Sequence, residues 1–205
     1  MQANEALDAA PARTFTERTR RAQIVRAAID TIAELGYANA SYAQIAKRAD
    51  LSSTGLISYH FDSRGELMSE VVRDVVGQIG AHMAWRLARE AEEAGEVLRR
   101  HIIAIVEFID THRGEMKALM EIFLAGGFTY GDEEERRAVS ALEAILRRGQ
   151  REGSFRRFDV RVMATLIQRA LDGLPFLLAQ DPKLDVRRYG TEVATAFDRA
   201  TRAHD

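Results

Sequence analysis

Hydrophobic residues recur every three to four positions along most of this 205-residue chain, the spacing that places side chains on one face of an α-helix. Between residues 67 and 83 they stand four apart, at Leu67, Val71, Val75, Ile79 and Met83. No alternating apolar and polar pattern, the sign of a half-buried strand, competes with this spacing. The pattern therefore predicts an all-α protein of about nine helices.

Two short helices joined by a tight turn are predicted between residues 41 and 64. Ser41 occupies an N-cap position, and Gln44 three residues later favours the start of the first helix. Asp50 and the pair Ser52–Ser53 supply turn and cap chemistry for the second helix. This arrangement indicates a helix-turn-helix, whose second helix lies in the major groove of DNA. On spacing alone, an ordinary pair of surface helices is the alternative.

The predicted DNA-binding residues have short polar, planar or cationic side chains that can bind phosphates or base edges, and one glycine allows close backbone approach. They are Ser41, Tyr42, Ser53, Thr54, Gly55, Ser58, Tyr59, His60 and Arg64. Ser41, at a helix N-terminus, and Arg64, as a cation, are expected to bind phosphates. Thr54, Ser58 and Tyr59 are the candidates for base edges.

The segment from Ile24 to Leu67 resembles the DNA-binding region of the TetR family of bacterial transcriptional regulators. The matching stretches are IVRAAIDTIAELGYANAS, YAQIAKRADLS and STGLISYHFDSRGEL. The run from Thr54 to Ser58 is further similar to the branch that contains choline-responsive regulators. The chain departs from the pattern by one extra residue within 51–53 and by Ser53 at a position that is more commonly Lys. The resemblance implies a homodimeric repressor that binds double-stranded operator DNA and responds to a small-molecule effector.

Charge is distributed unevenly along the chain, although the whole sequence carries a net charge of only −2. Residues 13–64 carry +3 and the remainder carries −5. A basic module joined to an acidic body is expected of a duplex-binding protein, although a solvated helix face explains Arg18, Arg20 and Arg21 equally well. We predict a flexible tail at residues 1–12, a DNA-binding domain at 13–64, and a helical ligand-binding and dimerisation domain at 65–205.

Composition indicates a soluble globular protein, with 46% hydrophobic and 29% charged residues. No apolar run reaches the roughly 18 residues that a membrane helix needs, and residues 1–12 lack the pattern of a secretory signal. The chain has no cysteine, which excludes disulfides and thiolate metal sites. We predict a cytoplasmic protein with no membrane association, cofactor or metal.

The last two predicted helices are apolar on more than one face and must therefore be covered from more than one side. Pairing of these helices between two subunits would form a four-helix bundle, which is also where the family dimerises. Closure of the monomer's own core is the alternative. The predicted interface residues are Val162, Leu166, Leu171, Leu174, Leu178, Val193 and Phe197.

The middle of the chain is the predicted effector site, because it contains adaptable and flat side chains suited to an apolar pocket, with three polar groups nearby. The predicted ligand-binding residues are Met83, Trp85, His101, Phe108, His112, Met116, Met120, Phe123 and Phe128. Plain core packing is the alternative for these residues. The similarity to choline-responsive regulators suggests a cation held against Trp85 or another aromatic face.

Catalysis is not predicted. Residues 127–131 imitate a nucleophile elbow with Thr in place of Ser, but a helical pattern precedes them where a strand is required. His101 and His112 would lie about 16 Å apart along one helix, too far to share a metal ion. A ligand-binding or interaction protein that retains a helix-turn-helix without ligand-controlled regulation is the alternative function.

Overall fold

The computed structural model describes residues 15–88, 93–126 and 133–203, with side chains from residue 136 onward in the last range. Within these ranges the chain forms ten α-helices, a 3₁₀ turn at Tyr37–Asn39 and no β-strand, which confirms the predicted all-α class. The helices α1 to α10 are, in order, Phe15–Leu35, Tyr42–Arg48, Gly55–His60, Arg64–Leu87, Ala94–Thr111, Arg113–Leu124, Glu133–Glu152, Val160–Asp172, Leu174–Gln180 and Val186–Thr201. The predicted tail, residues 127–131 and Phe128 lie outside the described residues.

The apolar segment from Val162 to Leu178, which contains five of the predicted interface residues, forms two helices in the structure. α8 ends at Asp172 and α9 begins at Leu174, with Pro175 in the first turn of α9. Proline is tolerated there because the backbone N–H that it lacks would have no partner within the helix. The combined segment Val160–Gln180 is long and apolar enough to span a membrane by length and composition alone. Arg169 and Asp172 lie in its middle, where a lipid environment would make both charges costly, and one third of its apolar window is buried inside the subunit.

A first hydrophobic core joins the three N-terminal helices to the beginning of α4 and to one face of α6. Its fully buried side chains include Ile24, Ile29, Ile45, Ile57, Leu67, Val71, Val75 and Ile122. The predicted domain boundary between residues 64 and 65 therefore falls in the first turn of a helix whose apolar stripe completes this core. Displacement of α4 would disturb the packing of the N-terminal helices directly.

A second core is formed by α5 and the helices α7 to α10. Gly149 on α7 makes room for Phe155, because a Cβ atom at this position would overlap the phenylalanine ring. Gly190 similarly lets α10 approach Val106 of α5. The chain beside Phe155 is tied to the end of α10 by the backbone hydrogen bond from Arg156 N to Thr201 O, at 2.9 Å. The last helix is thus part of the subunit's own fold.

Candidate nucleic-acid interface

The helix-turn-helix is built from local signals that the structure largely reproduces. The Ser41 hydroxyl accepts a hydrogen bond from the Gln44 backbone N–H at 3.3 Å, and such caps contribute about 1 kcal/mol to a helix. Asp50 adopts a positive φ of 49° in the turn. The expected side-chain cap on α3 is absent among the described contacts, because Thr54 precedes the helix in a helical conformation with no side-chain hydrogen bond.

One face of α3 is buried and the other is open. Ile57 is fully buried, whereas Tyr59 has 74% of its surface exposed and packs edge-on against the His60 ring at 5.1 Å. The other candidates on this face are also exposed, namely Ser53, Thr54, Gly55 and Ser58. The buried side anchors the helix on the first core, and the open side offers hydroxyl and aromatic groups to a partner.

Tyr42, His60 and Arg64 are more enclosed than the other predicted contacts. Arg64 donates hydrogen bonds to the carbonyl oxygens of Ala40 and Tyr37 at 2.7 and 2.8 Å, and its guanidinium lies 4.8 Å from the Tyr37 ring centre. Tyr42 is half-buried, and burial raises its pKa although the nearby Arg64 lowers it. Arg64 therefore ties the start of α4 to the start of α2, and its predicted phosphate contact stays a prediction.

The structure separates Arg18, Arg20 and Arg21 of α1, which have equivalent charges in the sequence. Arg18 is exposed, and Arg20 donates to the Gln23 side-chain oxygen at 2.8 Å. Arg21 is 6% exposed and donates to the carbonyl oxygen of His60, at the end of α3. Sequence reasoning missed this role, because only the tertiary fold brings residues 39 positions apart into contact.

Helix α6 also contacts the N-terminal helices through polar groups. Glu115 accepts a hydrogen bond from Arg26 at 2.7 Å, and Glu121 accepts one from the Tyr37 backbone N–H at 3.1 Å. Burial acts to raise the pKa of Glu115, but its backbone hydrogen bond and Arg26 lower the pKa overall. Gly36 has a φ of 80° beside the Glu121 carboxylate, a backbone conformation that favours glycine. Helix α6 thus contacts α1 and the 3₁₀ turn that precedes α2.

The predicted effector residues fall into three environments. The aromatic residues Phe108 and His112 stack at 4.1 Å between ring centres, and Phe108 also packs edge-on against His82 at 5.5 Å. Met116 packs against both cores, and His101 is buried on α5. The remaining described residues are half-buried or exposed, namely Met83, Trp85, Met120 and Phe123. The rings of His82, Phe108 and His112 thus form an aromatic junction between α4 and the end of α5.

A groove of about 960 Å³ runs over α5 between the end of α4 and the start of α10. Trp85 lies at its edge with 72% of its surface exposed. Arg86 pairs with Glu107 at 2.6 Å inside the groove and lies 5.7 Å from the Trp85 ring centre. Trp85 is the member of the predicted ligand set that lines this groove.

The predicted interface residues are divided by the structure between core and surface. Leu171, Leu174 and Leu178 are buried in the second core, where they support their own subunit, and their contribution to an intersubunit face stays a prediction. Val193 and Phe197 are half-buried against the same core. On α8 and α9 the exposed large apolar residues are Val162, Leu166 and Leu177, and the first two belong to the predicted interface set.

Comparison with known proteins gives a match over residues 24–71 to the model of bacterial regulatory proteins of the tetR family. The HTH-type transcriptional regulator BetI of Cronobacter sakazakii is 34% identical over 174 residues, covering 78% of this chain and 83% of that protein. A BetI protein of Chromohalobacter salexigens is 34% identical over 106 residues, which cover 52% of this chain and 50% of that protein.

Solved structures share the fold along nearly the whole chain. A transcriptional regulator from Saccharomonospora viridis in complex with choline superposes with a TM-score of 0.77 and 21% identity, over 91% of this chain and all of that one. The fatty acid degradation regulator FadR from Bacillus halodurans gives 0.76 and 22% identity, over 87% and 94% of the two chains. Similarity therefore extends from the helix-turn-helix into the C-terminal helices.

Proposed function

The chain belongs to the TetR family of bacterial transcriptional regulators and is a DNA-binding regulator, and we propose that it acts as a homodimeric repressor released from its operator by a small, largely apolar molecule. The observation that carries the proposal is the open face of α3, on which Thr54, Ser58 and Tyr59 are exposed while Ile57 anchors the helix. A short helix held in this way matches the geometry of major-groove recognition. Ser41 and Arg64 are assigned to phosphates.

Dimerisation is supported by an apolar stripe on α8 and α9. Val162, Leu166 and Leu177 are between 42% and 56% exposed and lie at helical spacing along the two helices. Val193 and Phe197 on α10 are half-buried and can extend the contact. A two-fold axis through this surface would present two copies of α3 to half-sites about 34–36 Å apart, which one subunit could not reach.

Ligand release is supported by the way α4 is shared between the two parts of the molecule. Its first half completes the first core through Leu67 and Val71, and its second half packs beside the aromatic junction through His82. A molecule inserted beside the Phe108 ring would separate α4 from α5, because His82 of α4 packs against this ring. Release follows only if the ligand prefers the free conformation of the protein, because only a difference in affinity shifts the equilibrium.

The effector class is proposed from the same junction. The flat rings of His82, Phe108 and His112 suit an apolar or aromatic-stacking molecule. A choline-like ammonium ion is the second class, since a fold relative binds choline and the Trp85 ring is exposed beside the junction. Acyl compounds, lipophilic cations and choline-like ions are therefore the first compounds to screen by thermal shift.

A mobility-shift titration of the chain against its own upstream DNA tests the proposal. We expect retardation of one specific fragment, and loss of that complex when a stabilising ligand is added. Because binding free energies are reciprocal, operator DNA should weaken ligand affinity by the same factor. If a ligand stabilises the protein but leaves operator affinity unchanged, the alternative holds: a ligand-binding protein that retains a helix-turn-helix without ligand-controlled regulation.

A further inference from the structure

The end of the recognition helix α3 is held by a buried arginine from another helix. We propose that Arg21 is a positioning residue for operator recognition: it fixes the end of α3 against α4 and thereby sets where Tyr59 meets the groove. The inference rests on the proposed recognition by α3, and it is independent of ligand release.

Arg21 contacts three parts of the N-terminal fold at once. Its Nη1 atom donates to the His60 carbonyl oxygen, and its Nη2 atom lies 3.0 Å from Glu66 Oε1 and 3.5 Å from Glu70 Oε2. The guanidinium carbon lies 4.0 Å from the centre of the Phe61 ring. These contacts join α1 to the end of α3 and to the first two turns of α4.

The helix that Arg21 contacts is short. α3 is only six residues long, and Ile57 is its one fully covered side chain in the described structure. The last carbonyl groups of any helix lack partners within that helix, and Arg21 supplies one for His60. Glu66 also accepts the backbone N–H of Asp62 at 2.6 Å, so the link between α3 and α4 is held on both sides.

A positioning role differs measurably from a phosphate contact. Arg21 is 6% exposed, and both of its terminal nitrogens already donate to protein oxygens, so we expect it to release no counterion when DNA binds. A cation that neutralises a phosphate contributes about 0.9 to the slope of log affinity against log salt. Removal of Arg21 should therefore leave this slope unchanged while discrimination between sequences falls.

The test compares Arg21→Met with Arg18→Met in the full-length protein. Met keeps an apolar stem over Phe61 but removes every donor, and Arg18 is an exposed cation one turn earlier on α1. For Arg21→Met we expect operator affinity to fall about 5- to 150-fold, the range for one lost base contact, with affinity for random DNA nearly unchanged. For Arg18→Met we expect the ratio of the two affinities to stay at the wild-type value.

Hydrogen exchange provides a readout that needs no DNA. In Arg21→Met the amides of Ser58 and Phe61, which are hydrogen-bonded within α3, should exchange faster while those in the middle of α1 and α4 keep their protection. Arg21→Lys keeps the charge without the planar fork and should show an intermediate effect. This milder variant is the one to use if Arg21→Met does not fold.

Three results would overturn the inference. A salt slope lowered by about one, with operator and random DNA weakened alike, would make Arg21 a phosphate ligand. An unchanged affinity ratio, with losses that follow the folded fraction measured by circular dichroism, would make its role purely structural. Unchanged protection of the α3 amides in Arg21→Met would show that Arg21 does not hold the helix. This result does not depend on DNA binding, so it can be distinguished from a failure of the proposed function, in which the wild-type protein retards no upstream DNA.

Discussion

Acidification should destabilise this protein through one buried histidine. His101 on α5 is 6% exposed, and burial lowers its pKa from the ordinary 6.5 to about 4. The unfolded chain therefore binds a proton below pH 6.5 that the folded chain does not accept until about pH 4. Since the unfolded state binds more protons in this window, the free energy of unfolding falls as the pH falls from 6.5 towards 4.

The size of the effect follows from the same two pKa values. One proton bound only by the unfolded state lowers the free energy of unfolding by about 1.4 kcal/mol for each pH unit. Across the whole window this amounts to about 3 kcal/mol at pH 4, a large part of the roughly 5–15 kcal/mol that stabilises a typical domain. Above pH 6.5 the contribution of His101 is constant.

Urea unfolding followed by circular dichroism between pH 4 and pH 8 measures this effect. His101→Leu keeps a side chain of similar size without a proton site, and the buried His101 Nδ1 atom has no hydrogen-bond partner in the described structure that Leu would forfeit. We expect the wild type to lose about 3 kcal/mol relative to this variant as the pH falls.

The effect of His101 must be measured as the difference in stability between the wild type and His101→Leu, because the pKa values of two carboxyl groups are also shifted by folding. Burial raises the pKa of Asp172, which opposes acid destabilisation, whereas the lowered pKa of Glu115 adds to it below about pH 4.5. Both groups are common to the wild type and His101→Leu. Parallel stability curves for these two proteins from pH 6.5 to 4 would refute the reasoning.

Three further predictions concern assembly and DNA binding. Leu166→Asp should raise the dimer dissociation constant at least about tenfold without unfolding the subunit, measured by sedimentation, since Leu166 is 53% exposed; a folded wild type that is monomeric at micromolar concentration would exclude the dimer. Tyr59→Ala should change which operator bases are preferred, measured by competition with single-base variants, and unchanged preference would remove Tyr59 from the base-reading set. Arg64→Ala should lower the melting temperature, because two backbone carbonyls lose a charged donor. The slope of log operator affinity against log salt tests the phosphate contact of Arg64: a slope smaller by about one in this variant supports the contact, and an unchanged slope excludes it.

Local chemistry allowed much of the DNA-binding module to be predicted. The Ser41 cap and the helical stripe of α4 depend on residues within a few positions of each other, and both occur as expected. The break at Gly173 was not predicted, because apolar spacing runs through residues 162–178 without interruption. The side-chain cap expected before α3 is also missing, because α3 already begins in helical conformation at Thr54.

Only the tertiary structure could show which residues of the same chemical type are buried and which are exposed. Arg18 and Arg21 are equivalent cations in the sequence, and Leu166 and Leu174 are equivalent apolar positions. In the folded chain Arg21 and Leu174 are buried, whereas Arg18 and Leu166 face solvent. Burial and partners depend on segments that are distant in sequence, such as His60 for Arg21.

The sequence by itself determined the helical class, the helix-turn-helix and the family, because helical periodicity, caps and motifs are encoded in short stretches of chain. The structure decided that the first core crosses into α4 and α6, that Arg21 and Arg64 hold the recognition module from within, and that an apolar stripe on α8 and α9 remains open. These features arise from long-range packing, in which each helix buries its apolar face against whichever neighbour the fold supplies.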